Sequence, residues 1–202
     1  MRMLLIGGAR SGKSALALRW SNERSANVCT LVTGTESDPE MAARIAAHRR
    51  ERPAHWRVRE EPVHLGRVLR EEGAAPTVPA AKSLQSPCAL LLVDCLTLWI
   101  SNCLWPPDRD VDGTDYSAWY RERGDFLDAL SACTSDIIIV TNEVGTGIVP
   151  DTAAGRVFRD EQGWLNQAVA AVCDEVFLVT AGLPLCLKPQ QPVPGRTTTQ
   201  PP

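Results

Sequence analysis

Gly7-Gly8-Ala9-Arg10-Ser11-Gly12-Lys13-Ser14 constrains this chain more than any other stretch. It follows the apolar run 3–6 and leads into Ala15-Leu16-Ala17-Leu18. Gly7-x-x-x-x-Gly12-Lys13-Ser14 is a Walker A pattern in its required setting, with a strand before it and a helix after it. Each part has a physical reason. Glycines let the backbone curl so that successive N–H groups, those of Gly7, Gly8, Ala9, Arg10 and Ser11 onward, can aim at phosphate oxygens. Lys13 reaches the β and γ phosphates, the Ser14 hydroxyl offers a ligand to Mg²⁺, and the following helix presents its positive end. A chain with this loop must hold a triphosphate at the carboxyl end of a buried strand.

The rest of the pattern agrees. Short runs rich in Val, Ile and Leu occur at 3–6, 28–33, 90–93, 137–141 and 176–180. They lack strict alternation, as expected of strands buried on both faces of a parallel sheet. Helical stretches fit between them at 13–23, 39–51, 118–132 and 155–171. This order predicts right-handed βαβ units and an α/β, mainly parallel, doubly wound P-loop fold. Residues 1–188 read as a single nucleotide-binding catalytic domain. Three segments stand apart: a small-residue, Pro-rich loop or insertion at 73–87, an acidic surface loop at 105–115, and a Pro/Gln/Thr-rich tail at 189–202 expected to be disordered.

Composition narrows the partners. The net charge of -3 over 202 residues offers no basic balance for a nucleic-acid partner. No apolar run is long enough for a membrane span, and the run at 3–6 is too short for a signal peptide, so a cytoplasmic protein is expected. Seven cysteines, an odd number with no Cys-x-x-Cys, argue against a disulfide framework or a zinc cage and for small buried hydrophobes.

Two further stretches carry chemistry. Ala89-Leu90-Leu91-Leu92-Val93-Asp94 ends a buried strand on an acid, the setting of a Walker B carboxylate near Mg²⁺. The alternative is a strand-end aspartate that caps a turn. Asn142-Glu143-Val144-Gly145 follows another strand, where ligands bind in such sheets. A regulatory GTPase would carry Asn-Lys-x-Asp there, so Glu143 and Gly145 count against a switch.

Asp38-Pro39-Glu40 is a strong helix start, and Pro53 ends the helix by restricting Arg52. Arg44 and His48 share a face, and Arg49, Arg50 and Arg52 crowd the helix end. One reading is a solvated face favoured by the helix dipole. The other is a polyphosphate clamp around a nucleophilic imidazole. Spacing does not choose between them. His55 and His64 read as ordinary polar residues.

The segments 7–14, 38–45 and 52–56, with His48, Thr141-Asn142-Glu143-Val144-Gly145-x-Gly147-Ile148-Val149-Pro150, Phe158-Arg159-Asp160, Asn166-Gln167 and Ala181-Gly182-Leu183-Pro184-Leu185, resemble one family. It is the bifunctional adenosylcobinamide kinase / adenosylcobinamide-phosphate guanylyltransferase family of cobalamin biosynthesis. The resemblance implies a RecA-like P-loop fold and a homo-oligomer, with a trimer known in the family. It implies two reactions: ATP or GTP phosphorylates adenosylcobinamide, then GTP gives GMP to that phosphate through a guanylylated histidine, releasing pyrophosphate. The histidine maps onto His48. Nucleotide contacts map onto Gly7 to Ser14, Val32, Thr33, Gly34, Arg49, Arg50, Glu51, Arg52, Glu60 and Asp94, with Mg²⁺ at Ser14 and Asp94. The resemblance leads one to expect Glu in some members where this chain has Asp94. Two other readings remain at this level: a P-loop small-molecule kinase of another pathway with no covalent intermediate, and a nucleotide-dependent regulatory switch.

Overall fold

The computed structural model describes residues 1–35, 38–73, 88–106 and 115–189. The loops expected at 73–87 and 105–115 and the tail expected at 189–202 lie, apart from their ends, outside the described residues.

The chain runs β1 (Arg2–Gly7), α1 (Lys13–Arg24), β2 (Val28–Val32), α2 (Pro39–Glu51), β3 (Arg57–Glu60), α3 (Leu65–Gly73), β4 (Leu90–Asp94), α4 (Leu96–Leu104), α5 (Ser117–Ala132), β5 (Asp136–Asn142), α6 (Ala153–Val172), β6 (Glu175–Thr180) and β7 (Leu183–Lys188). The strands form one sheet in the order β3-β2-β4-β5-β1-β6-β7. All neighbours are parallel except β6 and β7. The α/β, mainly parallel sheet is therefore as the apolar runs predict, and all five predicted strands and four predicted helices are present within a few residues of their expected limits.

Both sheet faces are covered, which explains the non-alternating strands. Leu4, Leu31, Leu91, Ile137 and Ile139 point to one face and pack with residues of α3, α4, α5 and α6. Met3, Leu5, Leu90, Leu92, Ile138 and Val140 point to the other, with Leu16 and Ala17 of α1 and with Trp56. Each such side chain, taken from water, contributes roughly 1.5–3 kcal/mol. The first face is anchored by Trp99, whose ring lies 5.2 Å from that of Trp119 and 4.9 Å from that of Phe126. The Trp99 indole N–H donates to the carbonyl of Val63 at 2.6 Å, so burial leaves no orphan donor there.

Four elements were not expected from the pattern: β3, α3, α4 and β7. β3 alternates charge with Val58 and holds the sheet edge through Arg57 and Arg59, which pair with Glu71 and Glu72 of α3. α4 is apolar nearly all round because it is buried between the sheet and α5 and α6. β7 returns through the turn Ala181–Gly182, both with positive φ (52° and 78°), the geometry of a tight hairpin.

Candidate functional site

The site is built at the carboxyl ends of β1, β2, β4 and β5. After Gly7 the loop passes through Arg10 (φ 59°) and Gly12 (φ 93°) before α1 begins at Lys13. At Gly12 a side chain would be strained, and a Cβ would also lie 2.9 Å from the Cα of Gly182. The Gly182 amide donates to the Ser11 carbonyl at 2.8 Å, so the β6–β7 turn buttresses the loop from outside. Lys13 Nζ donates to the Gly8 carbonyl at 3.0 Å. Burial holds the Lys13 ammonium below its usual pKa, against the opposing pull of Cys95 and Asp94.

A cavity of about 550 Å³ opens beside this loop. Ala9 to Ser14 line one part of it, and Arg44, His48, Glu51 and Arg52 of the α2 region line another. Helix α2 begins as its sequence predicts: the Asp38 side chain accepts from the Met41 amide at 2.8 Å, with Pro39 in the first turn. The helix buries only Ile45; Arg44 and His48 line the cavity, while Arg49 and Arg50 are exposed outside it. Glu51 Oε2 lies 3.8 Å from His48 Nδ1, one turn along. That is too long for a hydrogen bond but close enough to bias the ring.

Strand β4 delivers Asp94 to the same cavity. Arg52 donates to Asp94 Oδ2 at 3.2 Å, with both side chains largely buried. This ties the end of the histidine helix to the strand that carries the acid. Ser14 and Asp94 both line the cavity and both offer hard oxygen donors, the kind Mg²⁺ takes.

Strand β5 brings in Asn142, whose amide donates to Thr97 Oγ1 at 2.9 Å. Behind it lies a buried polar network. Thr141 Oγ1 donates to Asn166 Oδ1 at 2.8 Å, Gln162 Nε2 reaches both within 3.0 Å, and Asn166 Nδ2 donates to the Asn142 carbonyl at 2.9 Å. Asn142 Oδ1 and Ser11 Oγ are buried without a protein partner, and both residues line the cavity.

The structure gathers Ala9, Arg10, Ser11, Gly12, Lys13, Ser14, Val32, Gly34, His48, Glu51, Arg52 and Asp94 around one cavity. Gly7 and Gly8 form the loop behind it. Thr33 is fully buried, and its hydroxyl donates to the Cys95 carbonyl at 2.6 Å; it shapes the wall without facing the space. Arg49 and Glu60 pair with each other beside a second cavity of about 390 Å³, which Arg52 and Trp56 also line. Arg50 is exposed and lines neither. Reading the residues alone missed Cys95, Thr97, Leu98 and Met41 as lining groups. Thr97 carried a usable signal: it stands three residues past the strand-end acid, on the first turn of α4.

A family model described as cobinamide kinase / cobinamide phosphate guanyltransferase matches residues 3–187. The chain is 44% identical over 189 residues to the bifunctional adenosylcobalamin biosynthesis protein CobP of Pseudomonas aeruginosa, covering 93% of this chain and 98% of that protein. It is 37% identical over 194 residues to CobU of Escherichia coli, covering 93% and 100%. Among solved structures it is similar to the RadB recombinase, with a TM-score of 0.46 and 17% identity over 88% of this chain and 73% of that one. A likeness to a prototypical ATPase from the type III secretion system of pathogenic bacteria has a TM-score of 0.49 and 16% identity over 89% and 51%.

Proposed function

The chain belongs to the cobinamide kinase / cobinamide phosphate guanyltransferase family, and from that premise we propose how its own residues divide the two reactions. It is a bifunctional enzyme of cobalamin biosynthesis, which replaces the other-pathway kinase and the regulatory switch as readings. The observation that carries the assignment is that His48, Lys13, Ser14, Arg52 and Asp94 line one cavity.

In the kinase step the loop amides and Lys13 hold the phosphates of ATP or GTP; the alcohol oxygen of adenosylcobinamide bonds to the γ-phosphorus and loses its proton to solvent, and ADP or GDP leaves with the bridging oxygen. In the second step a nitrogen of neutral His48 attacks the α-phosphorus of GTP. The bond from that phosphorus to the bridging oxygen breaks, and pyrophosphate leaves with the electron pair. An oxygen of adenosylcobinamide phosphate then attacks the same phosphorus, the P–N bond breaks, and His48 is restored. The covalent histidine splits one hard transfer into two easier ones. Ser14 and Asp94 would hold Mg²⁺, which would neutralise charge on the phosphates. Arg52 and Arg44 offer charge-assisted donors on the His48 side.

We assign the guanine to the second cavity. There the Glu60 carboxylate can accept from the ring N–H and amino groups that adenine does not present together, and the Trp56 indole N–H is buried without a partner. Arg49, paired with Glu60, orients that carboxylate, while Glu51 faces the first cavity beside His48. Self-association, as a trimer or another homo-oligomer, is supported by Leu183, Leu185 and Leu187, which are 72%, 61% and 54% exposed on the edge strand β7. Among the described residues no helix is long and apolar enough to cross a membrane.

The test uses Mg²⁺ and GTP labelled at the α-phosphate. Wild type retains acid-labile label after quenching, and His48→Ala retains none while still phosphorylating cobinamide. Equal label on both proteins, or none on either, overturns the assignment of His48.

A further inference from the structure

At the end of the sheet away from the nucleotide cavity, Cys29 of β2, Cys88 just before β4 and Glu72 in the last turn of α3 converge. Their Sγ and carboxylate atoms all lie within 4.8 Å of one another. The residues are far apart in sequence, with no Cys-x-x-Cys between them, so only the β2–β4 pairing and the packing of α3 bring them together. Cys29 and Cys88 are 1% and 2% exposed.

The cluster is organised around positive charge. The Arg57 guanidinium donates both to Cys88 Sγ and to Glu72 Oε2, bridging the two as a cation would. Arg59 donates separately to Glu72 Oε1 at 3.2 Å, leaving that carboxylate held from behind if Arg57 departs. The Cys29 thiol and Arg57 together pull the Cys88 thiol down to about 7, whereas the hydrogen bond to Cys88 and burial push the Cys29 thiol up.

We propose that Cys29, Cys88 and Glu72 form a binding site for a thiophilic divalent cation of the Zn²⁺ class, which takes the place of the Arg57 guanidinium. Cys29 and Cys88 are free thiols, and two ligands at about 2.3 Å from one tetrahedral ion stand about 3.8 Å apart, inside the 4.8 Å within which all three donor atoms lie. Two thiolates and a carboxylate make a soft, anionic donor set, and a water completes four-coordination. Binding forms bonds from the ion to both sulfurs and one carboxylate oxygen. Any proton on either thiol leaves to solvent, and the Arg57 side chain, 31% exposed, turns outward. The ion then ties β2, β4 and α3 together, far from Lys13 and His48.

The full chain, reduced and stripped with a chelator, is titrated with Co²⁺ and then Zn²⁺. The expected result is one equivalent of Co²⁺ with thiolate charge-transfer absorption and tetrahedral visible bands, displaced by Zn²⁺. Cys29→Ser and Cys88→Ser lose the thiolate band, and Glu72→Gln weakens binding by about 10-fold or more. Arg57→Gln removes the competing cation and binds Co²⁺ more tightly than wild type. Co²⁺ held by Ser14 and Asp94 gives no thiolate band and survives in all four variants. A wild type without the thiolate band, or a band that persists in both cysteine variants, overturns the proposal. Should the cysteine variants fail to fold, Arg57→Gln decides: unchanged or weaker Co²⁺ binding there sinks it.

Discussion

Arg52 and Asp94 form an ion pair at 3.2 Å whose side chains are only 5% and 14% exposed, joining the residue that ends the histidine helix to the acid that ends β4. Removing one partner of such a pair leaves the other charge uncompensated. Asp94→Asn should therefore cost about 3 kcal/mol of stability, near the lower end for broken buried pairs. A double-mutant cycle with Arg52→Ala, read by urea denaturation, should give a coupling of at least ~1 kcal/mol. Additive losses would mean the pair is already screened by solvent.

Glu51 Oε2 stands 3.8 Å from His48 Nδ1, within reach of a hydrogen bond after a small rotation. Glu51→Gln should slow formation of the guanylylated enzyme by roughly 10-fold, below the 10²–10⁴ typical of a tightly bonded acid–base partner. The cobinamide kinase rate should stay near that of wild type. Equal losses in both rates would place Glu51 in triphosphate binding instead.

Burial lowers the pKa of Lys13, so the folded state holds its proton less tightly than the unfolded chain. Below the lowered folded pKa both states are protonated, and the full cost of burying the ammonium is present. As pH rises toward the ordinary value of 10.5, the unfolded chain binds more protons and that cost is relieved. Lys13→Met should abolish both transfers yet raise Tm at neutral pH, with the difference shrinking as pH rises. A lower Tm at neutral pH would show that the hydrogen bond to Gly8 outweighs desolvation.

The phosphate loop depends on a turn far downstream in the chain, since Gly12 φ is 93° and a Cβ there would meet Gly182 Cα at 2.9 Å. Gly12→Ala should lose nucleotide affinity in both reactions, measured by equilibrium binding of GTP. Gly182→Ala has open space and faces only the backbone strain of a positive φ, about 1–2 kcal/mol. It should lower Tm while largely sparing affinity. If both variants bind GTP as wild type does, the turn does not support the loop.

Asn166 links Thr141 and Gln162 to the Asn142 carbonyl inside the protein. Asn166→Ala strands these buried groups and should cost about 1–3 kcal/mol. It should also raise KM for GTP, because Asn142 loses its support at the cavity wall. An unchanged KM with lowered stability would confine the network to folding.

Local chemistry made much of this protein legible in its sequence. The Walker A spacing works only between a strand and a helix N-terminus, the capping Asp38 and Pro39 fix the start of α2, and the Val/Ile/Leu runs name five strands buried on both faces. These depend on near neighbours in the chain, so one sequence carries them. β3 and β7 were hidden because an edge strand need bury little, and α4 because a helix buried all round shows no polar face to mark its period. The choice between a solvated arginine face and a cavity wall at His48 was likewise not local. It depends on α2 lying beside the loop, with Arg52 drawn to Asp94 42 positions away. The same holds for Cys29 and Cys88, whose meeting is a product of strand pairing. Spacing along the chain encodes torsions and periodicity; which charges lose their water together is settled only when the sheet and helices pack.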